Sequence, residues 1–395
     1  MKRILITDMV IAISLAMASI PAGAASGEDK VTASDGATGD GFGFDVSVFG
    51  DTMVVGARYE NNDTGAAYVY VHGESGWVEQ TKLTASDGEP GDGFGYAVSV
   101  SANNIVVGAY GDDDYFGAAY VFTRYENVWS EQAKLTDADG SPGDFFGISV
   151  AINKHTLVVG AHADDEGNYN TGSACVFRYH RDAWVQDAKL VASDADYKDQ
   201  FGYSVVVDND TVVVGANAEK GDNGITGSVY IYVRDKNEWN EQAKLHADST
   251  SWNFGVSVSI SKDTLVVGSM FDTEIGYRAG SAFVYVRDGN EWTKDAKLFA
   301  SDGTANDYFS RDVSIDKKTI IIGASGDDDN GSNSGSVYIF VRDKTGWSEQ
   351  AKLIAGDGEA NDNYGRAVAN SNNTIAAGAY GDDDNGYNAG AVYTY

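Results

Sequence analysis

The chain has 395 residues, which at roughly 150 residues per domain suggests two or three domains unless the sequence repeats itself. Its 28 Lys and Arg stand against 59 Asp and Glu, a net charge of −31 that repels phosphate backbones and argues against nucleic acid as a partner. With 43% hydrophobic and 12% aromatic residues it is too rich in core formers to be a disordered acidic tail. Its one cysteine, Cys175, cannot close an internal disulfide or hold a structural zinc.

The first 24 residues read as a secretory signal. Lys2 and Arg3 precede an apolar run from Met9 to Ile20, and Ala22-Gly23-Ala24 supplies the small residues of a cleavage site. The run is too short to span a bilayer, and no other segment reads as transmembrane. A secreted or cell-surface protein is expected.

A Phe-Gly pair then opens a strand-like run at Phe42, Phe94, Phe146, Phe201 and Phe254, with variants at Phe309-Ser310 and Tyr364-Gly365. The spacing is 52 to 55 residues throughout, so seven repeats fill nearly the whole remaining chain. Each repeat has four beats. An alternating run such as FGYAVSV (94–100) comes first, then an apolar run ending in Gly-Ala, such as NIVVGAY (104–110). A small-aromatic run such as GAAYVF (117–122) follows, and W-x-x-Q-x-K-L closes the repeat, as in WSEQAKL (129–135). All four are short, β-branched or aromatic, and bounded by Gly, Asp and Asn, so each predicts a strand. The fold class is therefore all-β: a seven-bladed β-propeller of four-stranded antiparallel blades in one domain, residues 25–395. The seventh repeat stops in its third strand at Tyr395. The segment 28–36 matches the fourth beat of the first repeat, so the N-terminal strand should complete the last blade and close the ring.

These residues resemble the FG-GAP repeat family, whose members include the N-terminal propeller of integrin α-subunits. The motifs are Phe-Gly at strand one and V-V-G-A at the end of strand two, as at Val54 to Ala57, Val106 to Ala109, Val158 to Ala161 and Val213 to Ala216. The resemblance covers about residues 28–395 and implies an extracellular binding or adhesion module. Related integrin repeats carry a Ca²⁺ loop in the hairpin between strands one and two. Here those hairpins are short, such as FGDT (49–52) and SANN (101–104), and that site does not carry over.

Loops after strands two and four share one face, and nearly all of the net charge should sit there. Two readings of its aspartates stand. Asp40, Asp92, Asp144, Asp199, Asp307 and Asp362, each two residues before the Phe-Gly position, suit turn formation. The clusters Asp112-Asp113-Asp114, Asp164-Asp165-Glu166, Asp327-Asp328-Asp329 and Asp382-Asp383-Asp384 are candidate Ca²⁺ ligands, given help from backbone carbonyls.

The residue after each Phe-Gly pair should lie at the channel rim of that face. The resemblance implies that Phe44, Tyr96 and Tyr203 form part of an aromatic cage for a basic finger of a partner. Arg311 and Arg366 break that pattern and suit a carboxylate ligand or nearby aspartates. The recurring Trp77, Trp129, Trp184, Trp239, Trp292 and Trp347 read as packing between blades, while Trp252 falls off their register and is a candidate ligand contact. The histidines sit in unrelated beats and no nucleophile motif is present, so no catalysis is expected. The expected partner is an extracellular protein or glycan bound by a monomer, the alternatives being a multivalent sugar-binding propeller or, behind it, a polysaccharide-cleaving enzyme.

Overall fold

The second strand of each repeat is apolar on both faces, which suits a strand covered by neighbouring blades rather than by water. In the computed structural model, which describes residues 27–165, 168–221, 224–247 and 251–395, all six residues of Thr52–Ala57 are buried, as are those of Thr156–Ala161 and Thr211–Ala216. The segment 1–24 read as a signal, and Glu166, lie outside the described residues.

Seven four-stranded antiparallel sheets follow one another, as in Val46–Phe49, Thr52–Ala57, Ala66–Gly73 and Gly76–Leu83 for the first. The first two strands of a blade meet in a two-residue turn: Phe49 pairs with Thr52 and Ser101 with Asn104. Helix is almost absent. Asp112–Tyr115 is a single turn whose Asp113 and Asp114 adopt left-handed backbone angles.

The Phe-Gly pair is the seam between blades. Phe94 is fully buried among Val54, Ala67 and Val69 of the preceding blade and meets Tyr120 of its own edge-to-face at 5.5 Å. The glycines let the backbones touch. A Cβ on Gly108 would stand 2.0 Å from the Gly147 carbonyl oxygen of the next blade, closer than any side chain tolerates. Farther out, Trp129 Nε1 donates to Gln80 Oε1 of the previous blade at 3.0 Å, and Trp184 Nε1 to Gln132 Oε1 at 3.1 Å. The recurring tryptophans thus stitch the rim.

The ring closes as the repeat pattern requires. The strand Asp29–Val31 pairs antiparallel with Ala391–Thr394, with Asp29 opposite Thr394 and Val31 opposite Val392. Tyr395 Oη donates to Glu28 Oε2 at 2.6 Å across the same join. A chain starting at Thr32 would lose the burial of Val31 and the ion pairs of Lys30, and would leave Ala391–Thr394 as an open edge. Denaturant titration is expected to show a loss of about 4 kcal/mol or more, with aggregation. An unchanged midpoint would show that the strand does not close the ring.

Candidate functional site

Two further positions in each repeat join the rim residues at the channel mouth. One follows Gly-Ala at the end of strand two: Arg58, Tyr110, His162, Asn217, Met270, Ser325 and Tyr380. The other precedes Phe-Gly: Gly41, Gly93, Phe145, Gln200, Asn253, Tyr308 and Asn363, all with φ between +55° and +64°. Glycine and asparagine take that backbone easily, whereas Phe145 and Tyr308 hold it at a cost of about 1 kcal/mol. These two aromatics are aimed at the mouth against local preference.

The rim residues Phe44, Tyr96, Ile148, Tyr203, Val256, Arg311 and Arg366 line a central cavity of about 300 Å³. From the seventh blade round to the fourth, the mouth is an unbroken aromatic arc. Phe44 contacts Tyr380 at 5.7 Å, Tyr59 at 5.9 Å and Tyr96 at 5.1 Å. Tyr96 meets Tyr110 at 4.8 Å, and the arc continues through Phe145 and His162 to Tyr203. Burial alone pushes the His162 imidazole down to about 4, so it is neutral at physiological pH.

The structure brings Phe44 and Tyr96 into a cage, but the cage is filled from within. The Arg58 guanidinium lies 4.0 Å from the Tyr59 ring centroid, 4.8 Å from Phe44, 5.1 Å from Tyr96 and 5.6 Å from Tyr110. It donates to Tyr59 Oη at 2.6 Å and Tyr110 Oη at 3.0 Å. A partner's basic finger would have to displace a cation already held by four rings. Tyr203 stands at the far end of the arc, outside this cage.

The other arc, over blades five to seven, is different. A second cavity of about 230 Å³ opens there, lined by Arg311 and Arg366, by Phe271, Tyr308 and Tyr380, and by Ser325, Asn333 and Asn363. Arg366 stacks on Phe44 at 4.4 Å, and Arg311 reaches only the Met270 sulfur at 3.5 Å. Neither guanidinium forms an ion pair with a carboxylate among the described residues. Burial and the neighbouring Arg311 charge depress the Arg366 pKa. Two carboxylates sit in the channel beside them, each held by backbone. Asp45 accepts from Val98 N at 2.6 Å, and Asp312 from Val368 N at 2.7 Å and Ser257 Oγ at 2.7 Å. Burial, then the Asp312 charge, pushes Asp45 up to about 7. Trp252 lines neither cavity; it stands 54% exposed at the position that Asp40 and its counterparts take in the other blades.

Sequence reasoning found Arg311 and Arg366 but missed Arg58, Tyr110, Tyr308 and Tyr380. The signal was available as the residues flanking the two motifs, since a strand end at a closed ring must point them at the axis.

The acidic loops are organised by lysine. The Lys of W-x-x-Q-x-K-L recurs as Lys82, Lys134, Lys189, Lys244, Lys297 and Lys352, and Lys30 of the closing strand takes the seventh place. Lys352 Nζ bonds Asp302, Asp327 and Asp329, each at 2.8 Å. Lys30 holds Asp357 at 3.0 Å, Asp382 at 2.7 Å and Asp384 at 2.6 Å. Lys134 bridges Asp87 and Asp112, and Lys189 bridges Asp139 and Asp164. Tyrosines of the third strands add hydroxyl donors, as Tyr338 does to Asp302 at 2.8 Å. Burial alone would lower the pKa of Lys30, but its bonds to three carboxylates outweigh that and raise it. The middle aspartates close their own loops: Asp165 accepts from Asn170 N, Asp328 from Asn333 N and Asp383 from Asn388 N. Asp113 and Asp114 are exposed on the left-handed turn. The aspartates before Phe-Gly are turn acceptors, as Asp92 is for Glu89 N at 2.8 Å and Asp362 for Glu359 N at 2.7 Å.

The FG-GAP repeat pattern matches seven segments, residues 26–70, 77–122, 129–177, 184–232, 239–285, 292–340 and 347–395. The chain belongs to the FG-GAP repeat family. No curated protein matches it. Among solved structures it is similar to Sqt1 of Saccharomyces cerevisiae at 11% identity and a TM-score of 0.47, covering 91% of this chain and 97% of that one.

The acidic loops of this FG-GAP propeller are occupied by lysine ammonium groups. Among the described residues no group of three or more carboxylate, imidazole or thiol side chains is placed to hold a metal ion. The reason is physical: each ammonium already stands among the carboxylates that a cation would need. Thermal melts are expected to respond to Ca²⁺ no more than to NaCl of matched ionic strength. In Lys352→Ala, the freed Asp302, Asp327 and Asp329 should cost about 3 kcal/mol, and Ca²⁺ should restore part of it. A parent protein stabilised specifically by Ca²⁺ would contradict this account.

Asp45 gives a pH signature. Its pKa is raised by folding, so the folded state binds the proton more tightly than the unfolded chain. Its contribution to stability therefore rises as pH falls from about 8 through about 7 toward 4. Asp45→Asn, which keeps an acceptor for Val98 N, is expected to melt higher than the parent at pH 8, with the gap closing by pH 5. A gap independent of pH would show that Asp45 is not the titrating group.

Proposed function

We propose that this FG-GAP propeller is a non-catalytic, extracellular binding module, and that it engages a protein or glycan at the channel mouth over blades five to seven. The observation that carries this reading is where the repeat breaks. All seven blades spend their acidic loops on the same lysine-centred clusters, and the aromatic arc with Arg58 in it closes the mouth over blades one to four. The side chains that depart from the pattern without an ion-paired carboxylate, Arg311 and Arg366, open on one cavity walled by Phe271, Tyr308 and Tyr380. Concave, mostly aromatic surfaces with a few convergent polar groups are the usual form of a recognition site. The signal read at residues 1–24 supports export, and no helix among the described residues is long and apolar enough to cross a membrane.

A second reading, a multivalent sugar-binding propeller, draws on three exposed tyrosines at equivalent loop positions. Tyr169, Tyr277 and Tyr387 are 53%, 61% and 69% exposed, and each carbonyl accepts from the amide of the loop that leads into the next blade. Their flat rings stand in water beside polar loops, the arrangement of a sugar-stacking platform.

The two readings separate on an immobilised panel of glycans and extracellular proteins probed in EDTA. A single-site module gives saturable 1:1 binding that Tyr308→Ala reduces about tenfold and Tyr387→Ala leaves alone. A multivalent lectin gives the reverse, with several equivalents bound. No binding to any member of the panel would sink both.

A further inference from the structure

The geometry points to a carboxylated sugar, at the end of an otherwise neutral glycan, as the ligand of the Arg311–Arg366 cavity; this rests on the binding-module reading above. Three features of the cavity carry it. Two guanidiniums without an ion-paired carboxylate share one wall, and a third, Arg278, lies at 4.6 Å over the ring of Phe271, one of the lining residues. Like charges gathered in a half-buried space are unfavourable when empty and favourable around an anion, and arginine's planar fork matches a carboxylate in two parallel hydrogen bonds.

The second feature is the remainder of the lining. Phe271 and Tyr308 meet edge-to-face at 5.9 Å and, with Tyr380, offer ring surfaces for the C–H face of a sugar. Ser325, Asn333 and Asn363 supply hydroxyl and amide groups suited to several ring hydroxyls. A peptide carboxylate would use the arginines but leave that polar set without a purpose. The third feature is size and field. About 230 Å³ admits one substituted six-membered ring, and the surrounding acidic face, part of a −31 chain, repels a polyanion while tolerating one charge seated among arginines.

The test titrates the whole protein with galacturonate, galactose, acetate and a short peptide with a free C-terminal carboxylate. Calorimetry or saturation-transfer NMR is run at fixed ionic strength. Galacturonate is expected to bind at least tenfold more tightly than the other three. Arg311→Gln and Arg366→Gln should each weaken it about tenfold or more, whereas Lys198→Gln, which removes a cation lying over Tyr169 and Tyr197, should not. Arg366→Lys keeps the charge without the fork and should fall between. Without ligand, Arg311→Gln should melt no lower than the parent, since it removes a repulsion; a clear drop would make Arg311 a structural residue and overturn the proposal. So would equal binding of galacturonate and galactose, or tighter binding of the peptide. If neutral glycans bind on the panel while galacturonate does not, the acid-sugar proposal fails and the module stands. If the panel and the titrations are all blank, the module reading fails.

Discussion

Seven ammonium groups, one per blade, make this acidic face foldable. The loops after strands two and four crowd carboxylates around a ring, and their mutual repulsion opposes closure unless something neutralises it. A mobile counter-ion would do so at an entropic and concentration-dependent cost. A lysine on the fourth strand does so covalently, because the strand ends where the two loops meet. The tyrosine of the third strand completes the arrangement, with Tyr120 Oη within hydrogen-bond distance of both Asp87 and Asp112 and its one proton shared between them. Burial of the lysine stem along the tyrosine ring, seen as Lys134 Nζ 5.4 Å from the Tyr120 centroid, keeps the ammonium at the junction rather than in bulk water.

Where that cluster departs from its own rule, the departure is compensated locally. In the third blade the tyrosine is replaced by Cys175, which has no hydroxyl to donate. There Asp137 turns inward, and Lys189 reaches it at 3.0 Å as well as Asp139 and Asp164. In the fifth blade Phe283 takes the tyrosine's place, and Ser251 Oγ and Ser281 Oγ donate to Asp272 instead. In both blades the lysine stays in place and the carboxylate that loses the tyrosine hydroxyl meets another donor. These junctions differ from the arginines at the mouth, where the Asp45 charge acts on Arg366 without an ion pair.

The fold was legible because repetition multiplies a weak signal. One Phe-Gly followed by V-V-G-A says little, but seven at nearly constant spacing dictate blade number, strand order and the closing role of Asp29–Val31. The site was legible only in part. The rim position after Phe-Gly led directly to Arg311 and Arg366, because a first strand must point its opening residue at the axis. What could not be read was which cation meets which ring. Phe44 precedes one strand and Arg58 follows the next, and their stacking depends on how far the chain after Ala57 folds back. The partners of the carboxylate clusters were hidden for a similar reason: consecutive aspartates give no sign of the fourth-strand lysine, some twenty residues away in sequence, that stands among them.

The two arcs of the mouth also differ in how they handle a buried cation. Around Arg58 four rings and two hydroxyls surround one guanidinium, and that side of the channel is closed to any competitor. Around Arg311 and Arg366 one ring and one thioether sulfur are all that the chain provides, although Asp45 and Asp312 stand nearby. Those two carboxylates are turned instead onto backbone amides of adjacent first strands, where they pin neighbouring blades together. Had either been turned to the arginines, the charges would cancel and the cavity would be inert. On the proposed function, arginines left without an ion pair exchange stability of the empty protein for affinity toward an anion, the opposition between stability and function expected at a recognition site.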